Sequence, residues 1–324
     1  MDVTVPMANI ISADRRGIAC AADVLRKGGL VAFPTETVYG LGADATNDNA
    51  VAGIFEAKGR PRFNPLIVHV LDFDAAAKLA ELAPAAVQLA ERFWPGPLTL
   101  VVPRKLNCPL SLLASAGLDT IALRVPAHPV ARALLASSEL AIASPSANRS
   151  GHVSPTTAHH VADDFGARVD FILDGGRTAH GIESTVVGFA GDSAVLLRPG
   201  AVVREDIEEI AGALGAFGPD RVSSPGQLAS HYAPQTPLRL NADAVLPGEV
   251  LLAFGPRVSD TEGIVRNLSR SGDLKEAAAN LFAMLRELDV SGAQCIAVMP
   301  IPDHGLGEAI NDRLRRAATP VTAA

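Results

Sequence analysis

Short apolar runs alternate with segments of helical periodicity over the first two thirds of the chain. The runs predict buried strands at residues 30–33, 66–71, 98–102, 120–125, 140–143 and 169–173. Between the runs, apolar side chains recur every three or four positions, which predicts helices at residues 18–27, 47–58, 74–82, 84–93 and 204–211. Two further runs predict a hairpin at residues 184–189 and 194–197. The alternation predicts an α/β domain with a mixed sheet.

A change in composition separates this domain from a second set of elements. Residues 212–237 are rich in Gly, Pro, Ser and Ala and show no sustained periodicity. Beyond them, the pattern predicts a small α/β unit with strands at residues 249–254 and 295–300 and helices at residues 274–288 and 306–318. The sequence therefore predicts a first domain at residues 1–212, a linker at 213–237 and a second domain at 238–324.

Composition narrows the class of protein. Of 324 residues, 48% are hydrophobic and 19% are charged, which predicts a sizeable core and excludes global disorder. The net charge of -7 argues against a protein that coats nucleic acid, although it allows a local basic cleft. Cys20, Cys108 and Cys295 form no CxxC pair, so disulfide and structural-metal sites are not expected. Without a signal segment or a membrane-length apolar run, we expect a cytoplasmic protein.

Three cations follow one another where a predicted helix ends. Lys58 lies in the last turn, Gly59 is a favoured stop signal, and Arg60 and Arg62 follow in a loop with two prolines. Charge that complements the helix dipole and faces solvent is one interpretation. A solvated face usually mixes both signs, however, and no acid lies between Lys58 and Arg62. The alternative is a site for a polyanion such as a nucleotide triphosphate.

Other polar positions also stand out against apolar runs. Arg124 lies in a strand pattern, so it must pair with an acid or face a cleft. His69 also lies in an apolar strand, where histidine is more often structural than functional. The segment SPSANRSG, residues 144–151, offers uncharged hydrogen-bonding groups that suit a base, ribose or phosphate, unless it is a simple turn. Ser154 and Pro155 then predict the start of a helix.

Five ordered motifs together resemble the Sua5/YrdC family, and the two-domain length resembles its Sua5 type. They are the stretch from Gly28 to Val70, SPSANRSG, IESTVV, LLRPG and SHYAP. The resemblance covers essentially the whole chain. It implies an α/β fold with a YrdC-like twisted mixed sheet and flanking helices, plus a smaller Rossmann-like α/β C-terminal domain joined by a long linker.

The resemblance also implies a reaction. L-Threonine, bicarbonate and ATP would give threonylcarbamoyl-AMP and pyrophosphate, with Mg²⁺ carried by ATP rather than held by a protein metal site. A tRNA threonylcarbamoyl transferase complex would then modify an adenosine beside the anticodon, and a weak contact with tRNA itself is open. No membrane partner is expected.

Site residues carry over from the same resemblance. The catalytic positions would be Lys58 and Arg60. ATP contacts would be Lys58, Arg60, Arg62, Ser144, Ser146, Asn148, Arg198 and Tyr232, the last closing over the nucleotide from the linker. Threonine contacts would be Thr35, His69, Arg124 and Ser184, and Thr120 would line the site.

Three alternatives remain open from the sequence. The chain could be an RNA-binding module in tRNA or ribosome maturation, although the net charge and the lack of interleaved aromatics weigh against it. It could use carbamoyl phosphate, as related hydrogenase-maturation proteins do, but their zinc-finger-like cysteine pairs are missing from the sequence. The C-terminal domain could serve mainly to dock a partner.

Overall fold

The computed structural model describes residues 9–191, 193–215, 231–257 and 263–319. Its α-helices are α1 (Arg15–Arg26), α2 (Asp48–Lys58), α3 (Phe73–Leu79), α4 (Pro84–Phe93), α5 (Pro129–Ser138), α6 (Ala158–Phe165), α7 (Arg204–Ala211), α8 (Leu274–Asp289) and α9 (Leu306–Ala318). The division of the chain at residues 212 and 237 stays a prediction, and residues 216–230 of the predicted linker lie outside the described residues.

The strands form one large sheet and one small one. The ten strands of the first are β1 (Ile10–Ser12), β2 (Val31–Pro34), β3 (Tyr39–Asp44), β4 (Ile67–His69), β5 (Leu98–Pro103), β6 (Thr120–Arg124), β7 (Ile142–Ala143), β8 (Phe171–Asp174), β9 (Thr185–Ala190) and β10 (Ser193–Arg198). Their order across the sheet is β1-β8-β2-β3-β7-β4-β6-β5-β9-β10, with parallel and antiparallel neighbours. The predicted mixed α/β architecture is confirmed.

The sheet register places two polar side chains side by side. Strands β4 and β6 are parallel, and His69 is the register partner of Arg124 at their carboxyl ends. The turn between β2 and β3 carries Thr35 and Thr37, both buried. Because successive strand residues face opposite sides, Thr120 lies on the same face of β6 as Arg124 but at the other end of the strand.

The glycine-rich segment at residues 39–42 belongs to strand β3, which the sequence pattern did not predict. A Cβ atom at Gly40 would lie 2.2 Å from Ser144 Oγ, and one at Gly42 would lie 2.7 Å from the Phe33 ring. These glycines therefore allow close approach of neighbouring chain segments within a buried strand.

Two helices also depart from the sequence pattern. The helix expected at Ser154 begins at Ala158 instead, where the Thr157 side chain accepts a hydrogen bond from the His160 N–H. The prediction that Ser154 begins this helix was wrong, because its hydroxyl donates a hydrogen bond to Glu183 instead of capping the helix. Helix α5 was not predicted from the sequence, and it is the next element after β6.

The second sheet is parallel, in the order β11-β14-β12-β13. Its strands are β11 (Leu238–Arg239), β12 (Glu249–Ala253), β13 (Val265–Asn267) and β14 (Cys295–Val298). Helices α8 and α9 pack on one face of it, in a core that continues to Val38, Val153 and Ile182 of the first unit. No helix in the described part of the chain is long and apolar enough to cross a membrane.

Candidate active site

A polar cavity lies where the large sheet meets the small unit. Nine of the thirteen predicted site residues line it. Its lining is Thr35, Thr37, Val38, Gly40, Arg60, Ile67, His69, Arg124, Ser144, Pro145, Ser146, Glu183, Ser184, Arg198, His231 and Tyr232. The cavity volume is about 40 Å³, space for a few water molecules. The sequence motifs, which lie far apart in the chain, thus converge on one place.

Arg124 dominates one end of this cavity. Its Nη2 donates to Glu36 Oε1 at 2.7 Å, its Nη1 to Thr37 Oγ1 at 3.0 Å, and its Nε to the Gly96 carbonyl at 3.2 Å. The side chains of Arg124 and Glu36 are 4% and 9% exposed, so the pair is buried. The acid partner that the apolar run around Arg124 required is therefore Glu36.

His69 and Thr35 lie at the Arg124 end, and Ser184 lies between this end and Arg198. His69 packs edge-on against Phe33, and burial lowers its pKa to about 3, helped by the charge of Arg124. The ring is therefore neutral at pH 7, and its Nδ1 has no partner among the described residues. The Thr35 hydroxyl donates to the Val38 carbonyl, and the Ser184 hydroxyl lies 2.8 Å from that of Thr99. Neutral hydrogen-bonding groups thus flank one charged pair.

The other end of the cavity holds cations that have no acid partner among the described residues. Arg60 donates to the carbonyls of Asn64 and Pro65, and Arg198 donates to the carbonyl and hydroxyl of Ser184. Within the described residues, neither guanidinium bonds to a carboxylate. Burial lowers the pKa of Arg60 to about 10 and also lowers that of Arg198. Both cations would be stabilised by an anion that entered the cavity.

Lys58 lies behind this cationic end and shapes it. Its Nζ donates to the carbonyls of Ser146, at 2.6 Å, and Asn148, so it fixes the segment at residues 144–151. Burial, followed by the nearby charge of Arg60, holds the pKa of Lys58 well below its ordinary value. The Ser144 hydroxyl and the Asn148 Oδ1 are buried without a partner among the described residues. The loop therefore has unused acceptors as well as a fixed shape.

Four predicted site residues lie outside the cavity lining. Lys58 and Asn148 lie just behind it, as described above. Arg62 is exposed on the loop after α2, although Arg60, two residues earlier, is buried. Thr120 lies on the correct face of β6 but at the far end from Arg124. The roles of all thirteen residues in binding stay predictions.

His231 and Tyr232 line the cavity from the segment that precedes β11. The Tyr232 ring stacks on Phe282 of α8 with centroids 5.6 Å apart, and the Arg313 guanidinium of α9 lies 5.1 Å from its centroid. The Tyr232 hydroxyl and the His231 Nδ1 have no partner in the described structure. Burial, together with the surrounding cations, lowers the pKa of His231 well below its usual value, so the ring is neutral.

Glu183 and Arg313 belong to the site but were not predicted from the sequence. Glu183 lines the cavity, accepts from the Ser154 hydroxyl at 2.6 Å and pairs with Arg313 Nε at 2.8 Å. Arg313 is fully buried and also donates to the Pro199 carbonyl. The sequence contained one indication of this pair: Arg313 lies on the apolar side of the helix predicted at residues 306–318, and a buried arginine requires an acid or another acceptor as its partner.

The described residues offer no evident ligand set for a protein-bound metal. Within the ranges that the structure describes, no group of three or more His, Cys, Asp and Glu side chains is placed to hold an ion. Among the described residues that line the cavity, the one acid is Glu183, and both its oxygens already accept hydrogen bonds. The donors available to a ligand are mainly guanidinium, hydroxyl and imidazole groups.

Comparisons with known proteins agree with this arrangement. A family model described as telomere recombination matches residues 23–200, and one described as the C-terminal domain of threonylcarbamoyl-AMP synthase matches residues 202–319. Proteins named threonylcarbamoyl-AMP synthase from Pyrococcus abyssi and Bacillus subtilis are each 43% identical. They cover 93% and 97% of this chain, and the matches span 94% and 96% of their own lengths.

A solved structure extends the similarity to three dimensions. The crystal structure of P. abyssi Sua5 complexed with L-threonine has a TM-score of 0.87 and 40% sequence identity to this chain. The match covers 97% of this chain and 98% of that one. The sequence motifs, the fold and both domain matches therefore agree, and the chain belongs to the Sua5/YciO/YrdC family.

Proposed function

We propose that this protein makes L-threonylcarbamoyl-AMP from L-threonine, bicarbonate and ATP, with release of pyrophosphate. The observation that carries the proposal is the division of one cavity into two ends of different charge. A buried arginine–acid pair lies at one end, and at the other lie two buried arginines that bond to no acid in the described part of the chain. Relatives that share the full length are named for this activity, and one binds L-threonine.

The Arg124 end suits an amino acid. Three of the five N–H groups of Arg124 are bonded to protein acceptors, which leaves two for a substrate carboxylate. Neutral His69 can bond to a threonine hydroxyl or amine without adding charge. Thr35 and Ser184 also line the cavity and complete the proposed threonine contacts.

The Arg60 and Arg198 end suits a triphosphate. Phosphoryl transfer requires alignment of the reacting atoms and neutralisation of developing charge more than a covalent protein nucleophile. Lys58 would hold the loop at residues 144–151, and Arg60 and Arg198 would contact phosphate oxygens. Mg²⁺ would arrive on the triphosphate, whose oxygens are its natural ligands.

The chemistry then follows in two steps. The threonine amine attacks CO₂ derived from bicarbonate, forms the N–C bond and releases a proton, giving a carbamate. A carbamate oxygen attacks the α-phosphorus of ATP, and the bond to the bridging oxygen breaks as pyrophosphate leaves. Arg124 would fix the first reactant and Arg60 with Arg198 the second, so that the attacking oxygen and leaving group are in line.

ATP requires more room than the closed cavity offers. Sites for ligands of this class usually measure about 300–1,000 Å³, against about 40 Å³ here. Two of the residues that line the cavity, His231 and Tyr232, come from the end of the predicted linker. We infer that this pair must shift for ATP to enter, after which Tyr232 could close over the nucleotide.

The proposal also places the protein in a longer sequence of reactions. The mixed anhydride product is an activated acyl donor, so a transferase acting on tRNA would consume it. The downstream complex, weak tRNA contact and cytoplasmic location belong to this proposal. The RNA-binding alternative is less favoured because the cations at residues 58, 60 and 198 are buried in or just behind the cavity rather than spread on a surface.

One assay tests the proposal. The purified protein is incubated with ATP, Mg²⁺, bicarbonate and L-threonine, and the products are read by mass spectrometry beside parallel reactions with L-serine and L-alanine. Threonylcarbamoyl-AMP and pyrophosphate should form in equal amounts, with threonine preferred. Absence of the adduct under conditions in which a relative of that name produces it would reject the proposal.

A further inference from the structure

Glu36 is a buried acid that lies behind the cavity rather than in its lining. Its Oε1 accepts from Arg124, and its Oε2 accepts from the backbone N–H groups of Ala127 at 3.0 Å and His128 at 3.3 Å. Burial alone would favour protonated Glu36, but the charge and hydrogen bond of Arg124 and the backbone N–H donors outweigh it, so its pKa is lowered. Glu36 is therefore an anion with every contact directed at the protein.

Its contacts join three segments that build the Arg124 end. Ala127 and His128 immediately precede helix α5, so the carboxylate also meets the positive end of the helix dipole. The carbonyl of Glu36 accepts a hydrogen bond from the backbone N–H of His180, a few residues before the cavity-lining residues Glu183 and Ser184. A substitution of Glu36 is thus expected to alter mainly the positions of the groups that line this end of the cavity.

The orientation of Arg124 depends on this acid. The Gly96 carbonyl and the Thr37 hydroxyl hold Nε and Nη1, but neither carries a charge. Glu36 holds Nη2 with the shortest of the three hydrogen bonds, 2.7 Å, and a charge-assisted bond is the strongest kind available to a guanidinium. It therefore decides which two N–H groups remain for a ligand.

We propose that Glu36 is a positioning residue that orients Arg124 towards the substrate carboxylate and makes this end of the cavity selective for an amino acid over phosphate. The inference rests on the proposed function and deepens it. With Glu36 in place, the buried pair is neutral overall, so a ligand with one carboxylate and a compensating amine is favoured. Without it, Arg124 would be one more unpaired cation and would attract any small anion, as Arg60 and Arg198 do.

The test compares Glu36→Gln with Glu308→Gln in the full chain. Glu308 also pairs with an arginine, Arg204, but in a half-buried contact that is not part of the cavity lining, which makes it a matched control. In Glu36→Gln, the KM for threonine should rise about 10–100-fold, the range for loss of a hydrogen bond between charged groups. The KM for ATP should stay within about twofold of wild type by the same argument.

Two readouts separate positioning from general damage. L-Threoninamide lacks the carboxylate, so the preference of the wild type for threonine over this analogue should fall about tenfold or more in Glu36→Gln. Inorganic phosphate should become a competitive inhibitor against threonine in that variant alone. Glu308→Gln should match wild type in both, and Glu36→Asp, which retains the charge, should recover part of the selectivity.

The outcomes are distinct. If wild type forms the adduct but Glu36→Gln keeps the threonine KM, or loses threonine and ATP affinity equally, the positioning role is rejected and the proposed function stands. If Glu36→Gln does not fold, Glu36→Asp with unchanged threonine-to-threoninamide preference and no phosphate inhibition would also reject it. If wild type forms no adduct, calorimetric binding of threonine to wild type and Glu36→Gln still tests the inference, and equal affinities would overturn it.

Discussion

The two ends of the cavity hold arginines in opposite ways. Arg124 has an acid at 2.7 Å, whereas Arg60 and Arg198 donate to carbonyl and hydroxyl oxygens. All three are buried, so the difference is in charge compensation rather than in exposure. An arginine that is already neutralised by an acid can orient a ligand but gains little electrostatic stabilisation from an added anion. An arginine without an acid partner is stabilised when an anion binds. We therefore expect the ligand preference of each end to depend on whether protein groups already neutralise its arginines.

The largest expected effect comes from removing the cation that shapes the triphosphate end. Lys58→Ala would leave the Ser146 and Asn148 carbonyls without their donor and delete one charge. ATP–pyrophosphate exchange should fall about 100- to 1,000-fold, the cost of losing one preorganised electrostatic contact. Circular dichroism should show an intact fold, and Lys27→Ala, at an exposed position, should behave as wild type. Wild-type exchange in Lys58→Ala would remove the assigned role.

Breaking the compensated end should produce a smaller and selective loss. Arg124→Lys retains the charge but cannot bond at once to Glu36, Thr37, the Gly96 carbonyl and a carboxylate, because lysine lacks the planar fork. The KM for threonine should rise about 10–100-fold with little change in that for ATP. Arg60→Lys should do the reverse. Steady-state kinetics with each substrate varied in turn would show both, and equal changes in the two KM values would contradict the division of the cavity.

The neutral imidazole at the Arg124 end predicts a dependence of stability on pH. The pKa of His69 is about 3 in the folded protein, against 6.5 for an unperturbed histidine, so the unfolded chain binds a proton first as pH falls. The free energy of unfolding should therefore decrease below about pH 6.5, by up to about 1.4 kcal/mol per pH unit from this group, until about pH 3. Urea denaturation between about pH 4 and 6 should give a shallower slope in His69→Gln. Identical slopes would show that His69 does not contribute.

The smallest effect is expected at Arg62. This residue is exposed, so salt screens its charge and water already solvates it. Arg62→Ala should raise the KM for ATP only about two- to threefold, typical of an exposed ion pair. The effect should vanish in about 0.5 M KCl, whereas that of Arg60→Ala should persist. A large, salt-insensitive loss in Arg62→Ala would mean that the loop rearranges around ATP.

Local patterns were sufficient for most of the fold. Helix α2 begins after Asn47 and ends at Gly59, which has a φ of 61°, as the cap and stop signals predicted. Strand β3 was not predicted because it contains glycines at positions 40 and 42. These glycines allow close packing against distant segments, which the local hydrophobic pattern does not indicate. Ser154 failed as a helix cap because its hydroxyl bonds to a residue 29 positions away.

The site was predictable only in part, for a similar reason. The sequence indicated that Arg124 needed a partner, but the partner, Glu36, lies 88 residues away in the chain and meets it only through the sheet. Of the thirteen residues that the resemblance indicated, nine line the cavity in the structure. The resemblance did not indicate which arginines are neutralised, because compensation depends on contacts between distant segments.

Arg313 has a consequence for how genetic data on this protein should be interpreted. Helix α9 lies near the end of the chain, yet its fully buried arginine reaches Glu183, the Pro199 carbonyl and the ring of Tyr232. Loss of Arg313 would leave the Glu183 carboxylate unpaired in the cavity wall. We therefore expect alleles that replace Arg313 to score as activity defects in a selection, although residue 313 lies in a helix packed on the small sheet.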